Sequence, residues 1–277
     1  MPLTMYQDSP TKIKHIIAIA AGKGGVGKSS VTVNLALALQ KQGFSVGIMD
    51  TDIYGPSIRK MLPEDRLPKQ KGARLIPALS NGIRTISMAY FRKEQEASVV
   101  RAPIANGMIS QFINGVDWGN LDYLLIDFPP GTGDIQLTLC QKANLTGAIM
   151  VTTPQEVALL DVRKAMNLFH QVNIPILGIV ENMSYYYHAP TKEKIYIFGK
   201  GGGERLAREN GFPFLGAIPL APTLCHVGDL GQSIFALPDL ESQQIALAFL
   251  QLATQLTSHV ALVDSPKGFE LIWKEMN

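Results

Sequence analysis

"HIIAIAAGKGGVGKSSVTVNLALALQKQG", His15 to Gly43, decides how the rest of the chain is read. It opens on an apolar run that stops at glycines. It continues with Val33, Leu35, Ala36 and Leu39 at helical spacing, closed by Gly43, so the order is strand, loop, helix. Within it Gly22, Gly27, Lys28 and Ser29 satisfy G-x-x-x-x-G-K-[ST], in the strand-before, helix-after setting that a phosphate-binding loop requires. The chemistry explains the residue types. Gly22, Gly24, Gly25 and Gly27, with Val26 among them, let successive amides face phosphate oxygens, and the helix start at Ser29 and Ser30 adds its partial positive charge. Lys28 bridges the outer phosphates, and the Ser29 hydroxyl ligates magnesium. The ligand is therefore ATP or a similar triphosphate. One lysine, Lys23, is more than such a loop needs.

Working outward, short runs rich in Ile, Val and Leu recur: "SVGIMD" (Ser45 to Asp50), "LDYLLIDF" (Leu121 to Phe128), "GAIMVTTP" (Gly147 to Pro154), "PILGIVEN" (Pro175 to Asn182) and "PFLGAIPL" (Pro213 to Leu220). Most are separated by helix-like segments such as "QEVALLDVRKAMNLFHQ". Strands without polar alternation are buried on both faces, which predicts an α/β fold with a mostly parallel sheet and helices on both sides. Residues 60–91 break this rhythm. Two strand-like runs there flank Ser80-Asn81-Gly82 and predict a hairpin inserted at a sheet edge. A second glycine cluster, "GKGGGERLA" (Gly199 to Ala207), lacks the Gly-Lys-Ser ending and reads as a helix-entry loop.

Carboxylates complete the nucleotide site. Asp50 and Asp127 end predicted strands and Asp52 lies just beyond one, where open parallel sheets place their ligands. Asp127 is the expected outer magnesium carboxylate and Asp52 the residue that orients the attacking water. Asp50 is either part of this group or a loop anchor. The loop with Pro129, Pro130, Gly131 and Gly133 is either a switch that moves when the γ-phosphate leaves or a rigid turn.

Composition bounds the alternatives. With 25 basic and 23 acidic residues the chain has a net charge of +2, which gives no general attraction to nucleic acid or to an anionic membrane. Cys140 and Cys225 are far apart and neither belongs to a C-x-x-C pair, which points to a reducing, cytoplasmic setting. No signal peptide is visible at the start, and no uninterrupted run reaches the roughly 18 apolar residues of a membrane span. The expectation is a soluble, unprocessed protein.

"KGGVGKSS", "DTDIYGPS", "DYLLIDFPPGTGDIQLTL", "VTTPQEVALLDVRKA" and "GIVENMS" together resemble the Mrp/ApbC-type ATPases, the iron-sulfur cluster carrier branch of the MinD-like P-loop group. The resemblance runs from about Lys14 to about Ala236. It implies a doubly wound sheet, slow ATP hydrolysis, and a homodimer with its two ATP molecules near the interface. It also implies delivery of iron-sulfur clusters to apoproteins. Lys23 falls on the signature lysine that crosses to the partner's phosphates, Asn182 on the adenine contact, and Pro219 on the loop that closes over the base. The domain it implies spans residues 14–257, with a short leader at 1–13 and a tail at 258–277. The extra N-terminal domain of many members is expected to be absent.

Two features depart from that family. Where its iron-sulfur members place C-P-x-C shortly after "ENMS", this chain has "ENMSYYYHAPTKEK", with His188 and Thr191 at the two cysteine positions. A threonine hydroxyl is a poor ligand for such a cluster. Cys140 and Cys225 both read as buried small hydrophobes, and Cys225 beside His226, in a predicted loop, is the one other pairing to test as a ligand. The tail "GFELIWKEMN" sets Phe269, Ile272, Trp273 and Met276 on one helical face, or Phe269, Leu271 and Trp273 on one strand face. Its mixed charges favour docking on the domain or the dimer partner over a membrane. The competing function is a MinD- or partition-like positional switch acting on membrane or DNA. A form of the carrier that has lost cluster binding is the other alternative.

Overall fold

The computed structural model describes residues 12–52, 55–91, 102–188 and 190–263, with the backbone alone at 102–105. The chain opens with β1 (Ile13–Ala20), turns through residues 21–27 into α1 (Lys28–Lys41), and re-enters the sheet as β2 (Val46–Asp50). A short helix, α2 (Ile58–Met61), leads to two hairpins, β3 (Lys69–Lys71) with β4 (Arg74–Ile76) and β5 (Ala78–Ser80) with β6 (Ile83–Ser87). Then α3 (Ala102–Asn114), β7 (Leu121–Asp127), α4 (Asp134–Lys142), β8 (Gly147–Thr152), α5 (Glu156–Gln171) and β9 (Ile176–Glu181) alternate. The remainder holds the hairpin β10 (Tyr186–His188) and β11 (Glu193–Ile195), then α6 (Gly202–Asn210), β12 (Phe214–Ala217), α7 (Pro222–Asp229) and α8 (Leu240–Val263).

Eight strands form one sheet in the order β12-β9-β8-β1-β7-β2-β6-β5, parallel except at the edge strand β5. The expected edge hairpin is present. Asn81 at φ 48 and Gly82 at φ 78 supply the paired positive dihedrals of a two-residue hairpin turn, and the second strand, β6, continues the parallel sheet beside β2. Strand order reverses about β1, the position where an open sheet forms its ligand crevice.

Alternate residues of each central strand feed separate cores. In β1, Ile17 and Ile19 join the layer of α1 and α8, while Ala18 and Ala20 join the layer of α3, α4, α5 and α6. Both faces are covered, so the strands read as continuous apolar runs. Helix α1 is buried all along Val31 to Leu39 because α8 lies over the side the sheet leaves open. At its end Gly43, at φ 92, makes the left-handed exit of a helix C-terminus.

Helix α8 has 24 residues and a mean hydropathy of 1.4 over its most apolar window, long and apolar enough by those measures to cross a membrane. Its Ile245, Phe249, Leu252, Leu256 and Val260 are core residues of this domain. The expected tail thus begins inside α8, which continues through Ser258 to Val263. The aromatic part of that tail and most of the expected leader lie outside the described residues.

Candidate nucleotide site

Register builds the site. Asp50 of β2 lies opposite Asp127 of β7, and Ile19 of β1 lies on the other side of Asp127, so three carboxyl ends meet where the glycine loop leaves β1. Lys28, at the first turn of α1, is 7% exposed, and its Nζ stands 2.7 Å from Asp127 Oδ2. Ser29 donates its hydroxyl to the same oxygen at 2.6 Å, and Thr32, one turn further on, donates to Oδ1 at 2.7 Å. The Asp127 carbonyl is held as well, by the amide (3.1 Å) and hydroxyl (2.7 Å) of Thr51.

Asp50 is fully buried, accepting from the Ser87 hydroxyl at 2.8 Å and the Asp52 amide at 3.1 Å. Two carboxylates here share one buried ammonium, and Asp127 takes it. Burial, and then the charge of Asp127, push the Asp50 carboxyl up to about 7, against the opposing hydrogen bonds of Ser87 and Asp52 and the charge of Lys28. Its bond to the Asp52 amide ties down the backbone that carries Asp52, and its register keeps it opposite Asp127, so both expected roles stay open. Asp52 is half-buried and accepts from the Gly55 amide at 3.2 Å.

The loop fits a phosphate chain. Gly25 and Gly27 adopt φ of 82 and 80, and the first turn of α1 has neither an acidic residue nor a side-chain cap, so its leading amides are left for an anion. Gly22 is required by packing. A Cβ there would lie 2.1 Å from the Asp161 carbonyl carbon of α5. Gly27 has a second constraint, because its Cβ would lie 2.2 Å from Asn182 Nδ2, which donates to the Val26 carbonyl at 2.8 Å. Lys23 is half-buried and forms no ion pair with a described residue. Pro219 is buried and lines a small cavity with Tyr185, Tyr187 and Ile245. The Pro-Pro-Gly loop is tied to α4: Gln136 Nε2 donates to the Pro130 carbonyl at 2.6 Å and the Pro129 carbonyl at 3.2 Å.

Several of these residues escape a motif search. Thr32 has a visible signal, four positions after Lys28 on the same helical face. Thr51 and Gln136 have none, because only the tertiary fold brings them to Asp127 and to the prolines. The second glycine cluster is a helix entry as expected, and the Gly203 amide at the start of α6 is taken by the buried Glu181 carboxylate at 2.6 Å.

The cysteines need one correction. Cys140 is buried in α4, and burial pushes its thiol up to about 12. Cys225 is exposed, against the expectation of a buried residue, and with His226 it lies on α7 and not in a loop. Position 225 falls on the outer face of that helix, whose buried side is supplied by Val227. His188 Nδ1 stands 2.9 Å from Thr191 Oγ1 at the turn of the β10–β11 hairpin. Among the described residues no three His, Cys, Asp or Glu side chains group to hold a metal ion.

Comparison with known proteins agrees with this geometry. The family model for the NUBPL iron-transfer P-loop NTPase, of ParA type, matches residues 12–257. An iron-sulfur cluster carrier protein of Methanocaldococcus jannaschii is 50% identical over 229 residues, 81% of this chain and 79% of the relative. A solved nucleotide-binding protein of Archaeoglobus fulgidus, in complex with ADP, is 41% identical with a TM-score of 0.71, covering 79% of this chain and 87% of its own. The cell division ATPase MinD of Pyrococcus furiosus, 21% identical with a TM-score of 0.61 over 88% of this chain and 99% of its own, shares the fold. With the phosphate loop, its buried lysine and the carboxylate that answers it in place, the chain belongs to the NUBPL iron-transfer P-loop NTPase family.

Proposed function

We propose that this protein is a homodimeric ATPase that binds, carries or helps insert iron-sulfur clusters into apoproteins. The observation that carries the reading is the convergence of Lys28, Ser29 and Asp127 at the glycine loop of a chain from this family. Lys28 offsets the charge of the outer phosphates once a nucleotide competes for it with Asp127. The Ser29 hydroxyl and, behind it, Asp127 would hold magnesium, which when bound screens the phosphate oxygens. Asp52 orients the attacking water, from a backbone that Asp50 fixes. Turnover is slow and depends on dimer formation, with Lys23 reaching the phosphates of the second copy. Asn182 and Pro219 lie on the adenine side. The domain is residues 14–257, and the tail packs against it or against the partner.

The cluster is cargo, and a C-x-x-C bridge does not fit this chain. Its only cysteines are Cys140 and Cys225, and His188 and Thr191 are engaged with each other. Cys225 is the exposed thiol and Cys140 the buried one, so Cys225, with His226 beside it, is the pairing to test for contact with the cluster, although one thiol per chain does not by itself hold one.

The test is anaerobic loading with iron and sulfide, followed by transfer to an apo iron-sulfur protein with and without ATP. Visible absorption and iron content are read for the wild type, Cys225→Ser, Lys28→Ala and Asp52→Asn. Transfer should depend on ATP and on Cys225. Lys28→Ala should lose nucleotide binding, while Asp52→Asn keeps binding and loses turnover about a hundredfold or more. Failure to load or transfer clusters, together with ATP turnover stimulated by liposomes or DNA, would replace this reading with a positional switch.

A further inference from the structure

Strand β9 ends in a knot of attachments. Glu181, 1% exposed, receives the Gly203 amide on Oε2 at 2.6 Å and the Ser184 hydroxyl on Oε1 at 2.5 Å. The Asn182 amide bonds the Thr152 carbonyl at the end of β8, and the Ser184 amide bonds the Ile218 carbonyl beyond β12, with Met183 at φ 52 between them. From this fixed backbone the Asn182 side chain, 5% exposed, reaches the phosphate loop and donates to the Val26 carbonyl at 2.8 Å.

A planar peptide converts that contact into control of the loop. The carbonyl of one residue and the N–H of the next point in opposite directions, so holding the Val26 oxygen on one side aims the Gly27 amide to the other. Gly27 precedes Lys28, and its missing side chain leaves the space that the Asn182 amide fills, as the 2.2 Å approach of a Cβ to Nδ2 shows. Val26 is 2% exposed, so its carbonyl has little water to turn to once the amide is removed.

We propose that Asn182 is a positioning residue for the phosphate loop: it holds the Val26 carbonyl, fixes the Gly27 amide, and supports phosphate binding whatever base the nucleotide carries. The inference rests on the nucleotide site proposed above and assigns Asn182 a task apart from the adenine contact expected from resemblance. It also gives the loop and the β10–β11 hairpin a common root, since β10 begins shortly after Ser184 in the same knot.

Calorimetric titration with the magnesium salts of ATP, GTP and inorganic tripolyphosphate separates the two tasks. Asn182→Ala should weaken all three ligands by a common factor of about 5 to 150, the range for a buried acceptor left unpaired. Amide exchange over residues 22–30, followed by mass spectrometry without nucleotide, should quicken while exchange in β1 and β8 is unchanged. A loss confined to ATP, with tripolyphosphate bound as by the wild type, overturns the brace in favour of a base contact. Unaltered affinity for all three also overturns it. If Asn182→Ala does not fold, Asn182→Ser carries the same comparison. Wild-type protein that binds none of the three would remove the nucleotide site itself, whereas wild-type binding with an unaltered variant removes the brace alone.

Discussion

A lysine that is 7% exposed must be paired, and Asp127 pairs with Lys28 at 2.7 Å while also accepting from Ser29 and Thr32. The Asp127 carboxylate is thereby held in place by three donors, and the cost falls on its neighbour. Asp50 forms no ion pair with a described residue, and its carboxyl is pushed to about 7 by burial and by Asp127. The sign of the consequence follows from linkage. An unfolded chain ionises Asp50 near pH 4, but the folded one holds the proton until about 7, so this residue's contribution to stability is full below about pH 4 and lost as pH rises to 7. Asp50→Asn, neutral at every pH, should therefore be more favourable relative to the wild type at pH 8 than at pH 5, by about 2 kcal/mol. Urea unfolding at the two pH values measures it. A difference between the two proteins that is independent of pH would show that Asp50 is ionised in the folded state.

Elements meet at the site by close backbone contact, and Gly22 is where this is tightest. Helix α5 runs against the start of the loop so that a Cβ at position 22 would lie 2.1 Å from the Asp161 carbonyl carbon and 2.2 Å from the Val162 amide nitrogen. Neither atom belongs to a side chain that can rotate away. Gly22→Ala must part the loop from α5, at a cost of about 1–3 kcal/mol or more, and should weaken ATP binding as the loop shifts. Thermal unfolding and ATP titration test it, and a variant of wild-type stability and affinity would show that α5 has slack. The glycine was legible as a motif position, but its partner was not, because nothing in "VALLDVRKA" announces which loop its backbone will touch. The same divide runs through the molecule. Strands buried on both faces announce themselves as apolar runs, and the Asn81-Gly82 turn announces its hairpin. By contrast, the cover of α8 over α1 depends on contacts far apart in sequence. The helix of Cys225 does carry a signal in the sequence: Pro222 sits in the first turn of α7, a favoured place for proline, and the helix turns position 225 outward.

At the scale of the whole molecule, the question is why a phosphate loop that already has Lys28 carries a second lysine. Lys28 has its counter-charge within the chain, but Lys23, half-buried in the same loop, forms no ion pair with a described residue. If Lys23 served its own nucleotide, removing it would cost affinity as removing Lys28 does. If it serves the nucleotide of a second copy, the two properties separate. Lys23→Ala should then keep monomer ATP affinity within about fivefold, the scale of an ion pair that is not yet formed in the monomer. It should lose the ATP-dependent shift from monomer to dimer in sedimentation velocity, and turnover should fall with it. Lys23→Arg, which keeps the charge on a longer fork, should restore part of the dimer. Collapse of ATP affinity in Lys23→Ala, to the level of Lys28→Ala, would instead make Lys23 an ordinary ligand of its own chain's phosphates and leave the proposed dimer without its sensor.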